Sequence, residues 1–191
     1  MIYDLKSVYV IKSLQEHSGI RDTLLRKITD SNIQSILPEN SSSVSISLDG
    51  LDWEKSSDFS REWVKILAPN IMNILQNIGA DYGFKDPLIS DIWYQQYNEN
   101  NYHGWHHHGN TFTGVYYLEF PEGCPKTQLL CPLTKTIMEA KVTEGDVLLF
   151  PSYVIHRAPK VSKKRKTIVS WNMSFEMFSN DMIKILGELN D

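Results

Sequence analysis

Four of the six histidines in this 191-residue chain lie between positions 103 and 108, in YHGWHHHGN. Neutral imidazole nitrogen is a ligand for iron, zinc, copper and nickel, so such a cluster raises the question of a metal centre. If the segment is extended, its side chains alternate. His106 and His108 then share one face, and His103 and His107 the other. A His-x-His pair offers two ligands, and a firmly held metal wants a third from a distant element. His156 is the candidate. It closes EGDVLLFPSYVIH, which opens on a Glu144–Gly145–Asp146 turn and continues as an almost unbroken apolar run, the pattern of a buried strand. His17 sits in an N-terminal helical stretch with no polar cluster around it and reads as a surface residue. The alternative is a solvated polar loop with a core histidine; the pair together with a strand-end histidine favours the metal.

A second feature follows His156 by nine residues: Arg165, in the basic run Lys163, Lys164, Arg165, Lys166. Counting by two from Arg165 gives Thr167, Val169, Trp171, Met173 and Phe175, the more apolar set. Counting from Lys166 gives Ile168, Ser170, Asn172 and Ser174, the more polar set. Taken as core face and outer face, this pattern turns Arg165 and Thr167 inward. An inward arginine asks for an anion, because its planar fork binds a carboxylate through two charge-assisted hydrogen bonds and is costly to bury alone. The plain alternative is that all four cations solvate a turn.

The elements that must position these residues change character along the chain. Residues 7–14 (SVYVIKSL) read as an early strand and 15–29 as a helix. The polar stretch 31–57 is a long connection, with a short strand at Val44–Leu48, and is long enough to serve as a lid. Trp63, Leu67, Ile71, Ile74 and Ile78 form one apolar helical stripe, with Gly79 placed to cap it and Pro69 to kink or restart it. From residue 88 onward, short β-branched and aromatic runs are divided by Gly, Pro, Asn and Asp, which predicts an antiparallel sandwich or barrel. A helix over about Asn180–Glu188 ends the pattern. The expected fold class is α+β with a mainly β core, in one domain: N-terminal support over 1–87, a β-core over 88–176 and a C-terminal helix over 177–191.

Composition sets bounds. Hydrophobic residues make up 41% and charged residues 22%, with a net charge of −4, so the chain reads as a soluble globular protein with no obligatory polyanion partner. No apolar run is long enough to cross a bilayer and no leader pattern is visible, so a cytoplasmic location is expected. Cys124 and Cys131 are expected as reduced thiols; two cysteines with nearby histidines make only half of a structural zinc pattern.

WHHHG followed by VYYLEF, then GDVLLFPSYVIH, then RKTIVSWN resembles the double-stranded β-helix (jelly roll) of the iron(II)/2-oxoglutarate-dependent oxygenases. The sequence is most similar to their prolyl-hydroxylase-like branch and to phage and bacterial oxygenases with an H-x-H motif before a VYYL strand. The resemblance covers about residues 88–176. It implies a dioxygenase using Fe(II), 2-oxoglutarate and O2, and hydroxylating a C–H bond with release of succinate and CO2. His106, His108 and His156 fall on its metal ligands. Arg165 falls on the residue that grips the distal carboxylate of 2-oxoglutarate, and Thr167 on the hydroxyl of an Arg-x-Ser/Thr pair. Tyr117 and Tyr97 fall on positions that reach the same co-substrate. No further protein acid, base or nucleophile is required. One departure is that His108 stands where most members have Asp or Glu, which removes a negative charge from the metal's first shell. His103 is a substitute ligand if the segment turns, and otherwise lines the entrance.

The resemblance favours a peptidyl or small-molecule substrate. Arg157, Lys160, Lys163, Lys164 and Lys166 also leave room for an acidic peptide or a nucleic acid. Two rivals keep the barrel: a cupin-like zinc or nickel protein with three histidines and a water, and a non-enzymatic jelly-roll binding or structural module. Arg165 and Thr167 argue against the first, since a zinc hydrolase needs a carboxylate base rather than a dicarboxylate clamp.

Overall fold

A computed structural model describes residues 9–30, 46–131 and 133–189. The elements in chain order are β1 (Val10–Ser13), α1 (His17–Asp30), β2 (Ile46–Ser47), β3 (Gly50–Leu51), a one-turn helix at Trp53–Lys55, and α2 (Glu62–Asp81). Then come β4 (Phe84–Tyr97), β5 (Tyr102–His106), β6 (Phe112–Glu119), β7 (Gln128–Leu130), β8 (Ile137–Glu139), β9 (Asp146–Pro151), β10 (Ile155–Ala158), β11 (Lys166–Phe178) and α3 (Asn180–Glu188).

The strands form two antiparallel sheets, ordered β1-β9-β6-β11-β4-β3 and β2-β5-β10-β7-β8. From β4 onward the chain steps back and forth between the two sheets, which winds them into a double-stranded β-helix. The sandwich is closed by interdigitating inner faces: Tyr97, Val115, Tyr117, Leu148, Phe150 and Ile168 from the larger sheet meet Leu129 and Ala158 from the smaller. The larger sheet is also covered on its outer face. There Tyr94, Tyr116, Leu118, Val147, Leu149, Val169, Trp171 and Met173 pack on Leu24 and Ile28 of α1 and on Trp63, Leu67, Ile71 and Leu75 of α2. The apolar stripe of α2 is buried on this face because its spacing keeps one side of the helix on the sheet.

Several expectations are corrected. Helix α2 runs without interruption through Pro69, and Gly79 lies inside it; the C-cap is Tyr82, followed by Gly83 at φ +77°. Gly79 is needed for packing instead, since a Cβ there would sit 2.8 Å from a ring carbon of Phe175. His17 is not a free surface residue: its Nδ1 lies 2.7 Å from the Tyr116 hydroxyl and its Nε2 3.5 Å from Glu144. Positions 7–8, 44–45 and the 31–45 part of the expected lid lie outside the described residues. The rest of that connection is tied down. Asp52 accepts from the Tyr94 amide at 2.8 Å and pairs with Arg61, which donates to the Ile92 carbonyl at 2.6 Å. Cys124 and Cys131 are not joined in a disulfide.

Candidate metal centre and its anion pocket

Strand β5 ends in His106 and β10 carries His156 directly opposite it in register. The chain leaves β5, and the His108 amide is then held by the Ser152 carbonyl at 3.0 Å, which returns the third imidazole to the first two. One ligating atom from each of His106, His108 and His156 lies within 4.8 Å of the others. His106 and His156 are buried and His108 is half-buried, whereas His107 is exposed. The structure thus brings His106 and His108 together and turns His107 outward, with His108 placed by the loop after β5 and not by strand alternation.

His103 departs from simple alternation. Between His156↔His106 and Ala158↔His103, β5 spends three residues for two on β10. This bulge flips the side-chain parity. His103 consequently stacks flat on His106, with ring centroids 3.7 Å apart and planes 6° apart, and its Nδ1 lies 3.1 Å from the Gln95 amide.

Burial is the main force on the protonation of the three grouped imidazoles, because the cationic form loses its hydration. It lowers the pKa of His106 to about 4 and that of His108 to about 3, and it pushes His156 well down. Repulsion from neighbouring imidazoles adds to the effect, from His107 on His106, from His106 and His107 on His108, and from His106, His108 and His103 on His156. All three are neutral at neutral pH, the form that donates a lone pair to a metal. Two have their tautomers fixed as well. His106 Nδ1 sits 2.8 Å from the Gly104 carbonyl and His156 Nδ1 2.9 Å from the Val154 carbonyl, so Nε2 is left facing the cluster. The donor set thus fits a divalent transition metal, iron included.

The co-substrate candidates are arranged differently from the sequence expectation. Arg165 lies just before β11 with its side chain 42% exposed, clamped by Glu119 through Nε–Oε2 at 2.8 Å and a second donor at 3.0 Å. Thr167 is buried, but its hydroxyl donates to Glu119 at 2.8 Å and accepts from Gln96. Both belong to the set that continues into Val169 and Trp171 beneath the helices. The inward orientation of Arg165 is corrected. It failed because both faces of this sheet are covered: the apolar alternation marks the helix side, and the polar alternation marks the inside of the sandwich.

Lys166 is the cation on the inner face. It is fully buried, its ammonium lies 4.6 Å above the Tyr97 ring, and its hydrogen bond among the described residues is a 3.3 Å contact to the Pro125 carbonyl. Desolvation lowers its pKa to about 8. Beside it, the Tyr97 hydroxyl is buried with no hydrogen-bond partner among the described residues. Tyr117, also inside, donates to Thr127 at 2.7 Å. Burial raises the pKa of both phenols, so both remain neutral. Three ammonium donors with one acceptor, next to an orphaned phenol, are an incomplete set, which an anion would complete.

Tyr97 and Thr127 also line the cavity in front of the histidines, together with Trp93, Gln95 and Ser170, and about 30 Å³ of it is free. Sequence reasoning missed Lys166, Gln95, Thr127 and Trp93. Polar residues on a strand that is buried on both faces are the signal that marks them. Outside this cavity a larger cleft of about 470 Å³ is lined by Tyr102, Trp105, Arg157 and Lys160 and shares His103 with the inner one. Arg157 lies 4.5 Å above the Trp105 ring.

No protein-family model and no curated protein matches the chain by sequence. Solved structures match it in fold. A viral collagen prolyl hydroxylase from Paramecium bursaria Chlorella virus-1, solved as a 2OG complex, has a TM-score of 0.60 at 14% identity, over 86% of this chain and 94% of that one. A prolyl hydroxylase from Trichoplax adhaerens, in complex with a hypoxia-inducible-factor oxygen-degradation-domain peptide fragment, has a TM-score of 0.62 at 14% identity, over 93% and 86%. A non-heme α-ketoglutarate-dependent epimerase from nogalamycin biosynthesis has a TM-score of 0.65 at 10% identity, over 94% and 83%. At these identities the likeness is one of fold: the chain has the double-stranded β-helix on which those enzymes are built.

Proposed function

We propose that the protein is an Fe(II)- and 2-oxoglutarate-dependent oxygenase that hydroxylates a C–H bond. The observation that carries this reading is the pairing, within one sandwich, of a three-histidine cluster with the anion-seeking Lys166 and Tyr97. His106, His108 and His156 are the metal ligands in this reading. Lys166 holds the distal carboxylate of 2-oxoglutarate, in place of Arg165 and Thr167, whose groups are committed to Glu119. Tyr97 donates its free hydroxyl to the same carboxylate, and Tyr117 keeps Thr127 oriented toward the cavity. When bound, the iron and co-substrate supply oxidative decarboxylation to succinate and CO2 and the activation of O2. The residues of the chain bind, orient and exclude water; no side chain has to move a proton.

A zinc-type hydrolytic reading leaves the buried ammonium without a purpose. The prolyl hydroxylases of the same fold, one of them solved with a peptide, support a peptidyl substrate. The Arg157–Lys160 cleft, with no acidic residue in its lining among the described residues, favours a substrate bearing an anionic group. The test is release of succinate from 2-oxoglutarate by purified protein with Fe(II) and O2. Wild type is expected to form succinate slowly without a prime substrate and His156→Ala not at all; equal rates in the two would contradict the reading.

A further inference from the structure

The three grouped histidines are not supported alike. His106 and His156 each hand Nδ1 to a backbone carbonyl two residues earlier in the chain, and among the described residues His108 has no such carbonyl. A metal-bound imidazole needs an acceptor for its second N–H, to fix both the tautomer and the ring's direction. Among the described residues, one buried acceptor in this neighbourhood lacks a hydrogen-bond partner.

Asn172 lies on the inner face of β11 and is 4% exposed, and its Oδ1 is buried without a hydrogen-bond partner among the described residues. It lies opposite Thr113 of β6, which lines the cavity together with His108, and its side chain is within hydrogen-bonding reach of that imidazole. Asp91 of the neighbouring strand β4, opposite Asn172, is the other polar group near this ring. Both carboxylate oxygens of Asp91 already have donors, Oδ1 from Ser56 at 3.3 Å and Oδ2 from Ser90 at 2.9 Å. On the ring's flat side, Trp93 stacks on His108 with centroids 5.8 Å apart and planes at 28°. Trp93 is itself braced edge-on by Trp53 at 4.3 Å.

We infer that Asn172 is the positioning residue of the metal centre: its Oδ1 accepts the N–H of His108 and fixes that imidazole as the third ligand, with the Trp53–Trp93 pair setting the plane of the ring. An inner-face amide thereby does for a side chain on an irregular loop what the strand backbone does for His106 and His156. This rests on reading the three histidines as a metal centre.

Co(II) titration of the full chain, followed by its visible ligand-field absorption, tests the inference without any turnover. Asn172→Leu is expected to weaken Co(II) binding about 10- to 100-fold. Asn172→Asp keeps an acceptor at the same place and is expected to stay within a few-fold of wild type. Asn172→Ala serves as the acceptor-less variant if the leucine disturbs folding, judged by the thermal midpoint. Wild-type affinity in the leucine or alanine variant, or equal loss in the aspartate variant, overturns the role of Asn172. If wild type binds Co(II) no better than His156→Ala, the metal-centre reading itself fails, and the positioning role goes with it.

Discussion

Arg165 and Lys166 are adjacent in the chain and serve opposite faces of one sheet: Glu119 clamps the guanidinium from outside, while the ammonium is buried 4.6 Å above the Tyr97 ring. A cation held by a carboxylate has its charge answered. A buried ammonium whose hydrogen bond among the described residues is one carbonyl contact does not, and that asymmetry is the reason for proposing Lys166 as the anion-binding cation.

The pH dependence of stability follows from the same residue. The folded-state pKa of Lys166 is lowered from 10.5 to about 8. Between those values the unfolded chain holds a proton that the folded protein has released, so stability rises with pH across that window; below it the full cost of burying the charge is present. Lys166→Met is expected to be more stable than wild type near neutral pH, by about 1–4 kcal/mol, with the gap closing as pH rises. Thermal unfolding across that range without added dicarboxylate checks it; a lysine variant less stable at every pH would speak against a buried, unanswered charge.

The ligand assignment separates adjacent histidines. His107 is exposed and His108 belongs to the cluster. His108→Ala should lower divalent-metal affinity by about 100-fold, and His107→Ala should leave it within a factor of about two. Equilibrium dialysis with Fe(II) or Co(II) distinguishes the two outcomes.

Packing of β6 on β11 depends on Gly114, where a Cβ would fall 2.0 Å from the Trp171 indole. Trp171 is wholly buried under the helices and has no room to give. Gly114→Ala should therefore destabilise by about 1–3 kcal/mol through overpacking. In a chain of this size that is about 2–4 °C in thermal midpoint for each kcal/mol. A midpoint unchanged from wild type would show that the two strands separate freely here.

Much of this architecture is legible in the sequence, for identifiable reasons. The grouping of His106 and His108 with a later His156 was readable from the His-x-His spacing. The apolar run before His156, however, is β9, which ends at Pro151, and His156 itself lies on β10 in the other sheet. The stripe of α2 was likewise readable from its spacing. What was lost lies in tertiary context. Alternation along β11 shows two faces, yet only the helices packed on Val169 and Trp171 reveal that the apolar face is the outer one. The stacking of His103 on His106 depends on a bulge in β5 that no residue type announces. Pro69 sits in an unbroken helix because the packing of α2 along the sheet outweighs one missing backbone hydrogen bond.

The central claim is that the three histidines and Lys166 build one pocket for iron and 2-oxoglutarate. Anaerobic addition of Fe(II) and 2-oxoglutarate, followed through the weak visible metal-to-ligand charge-transfer band, tests it most directly in wild type, Lys166→Met, Arg165→Ala and His108→Ala. The account predicts a band in wild type and Arg165→Ala, and its loss in His108→Ala and, at moderate co-substrate concentration, in Lys166→Met. A band that survives Lys166→Met and disappears with Arg165→Ala would contradict the assignment of the pocket, and no band in wild type would contradict the iron and 2-oxoglutarate reading altogether.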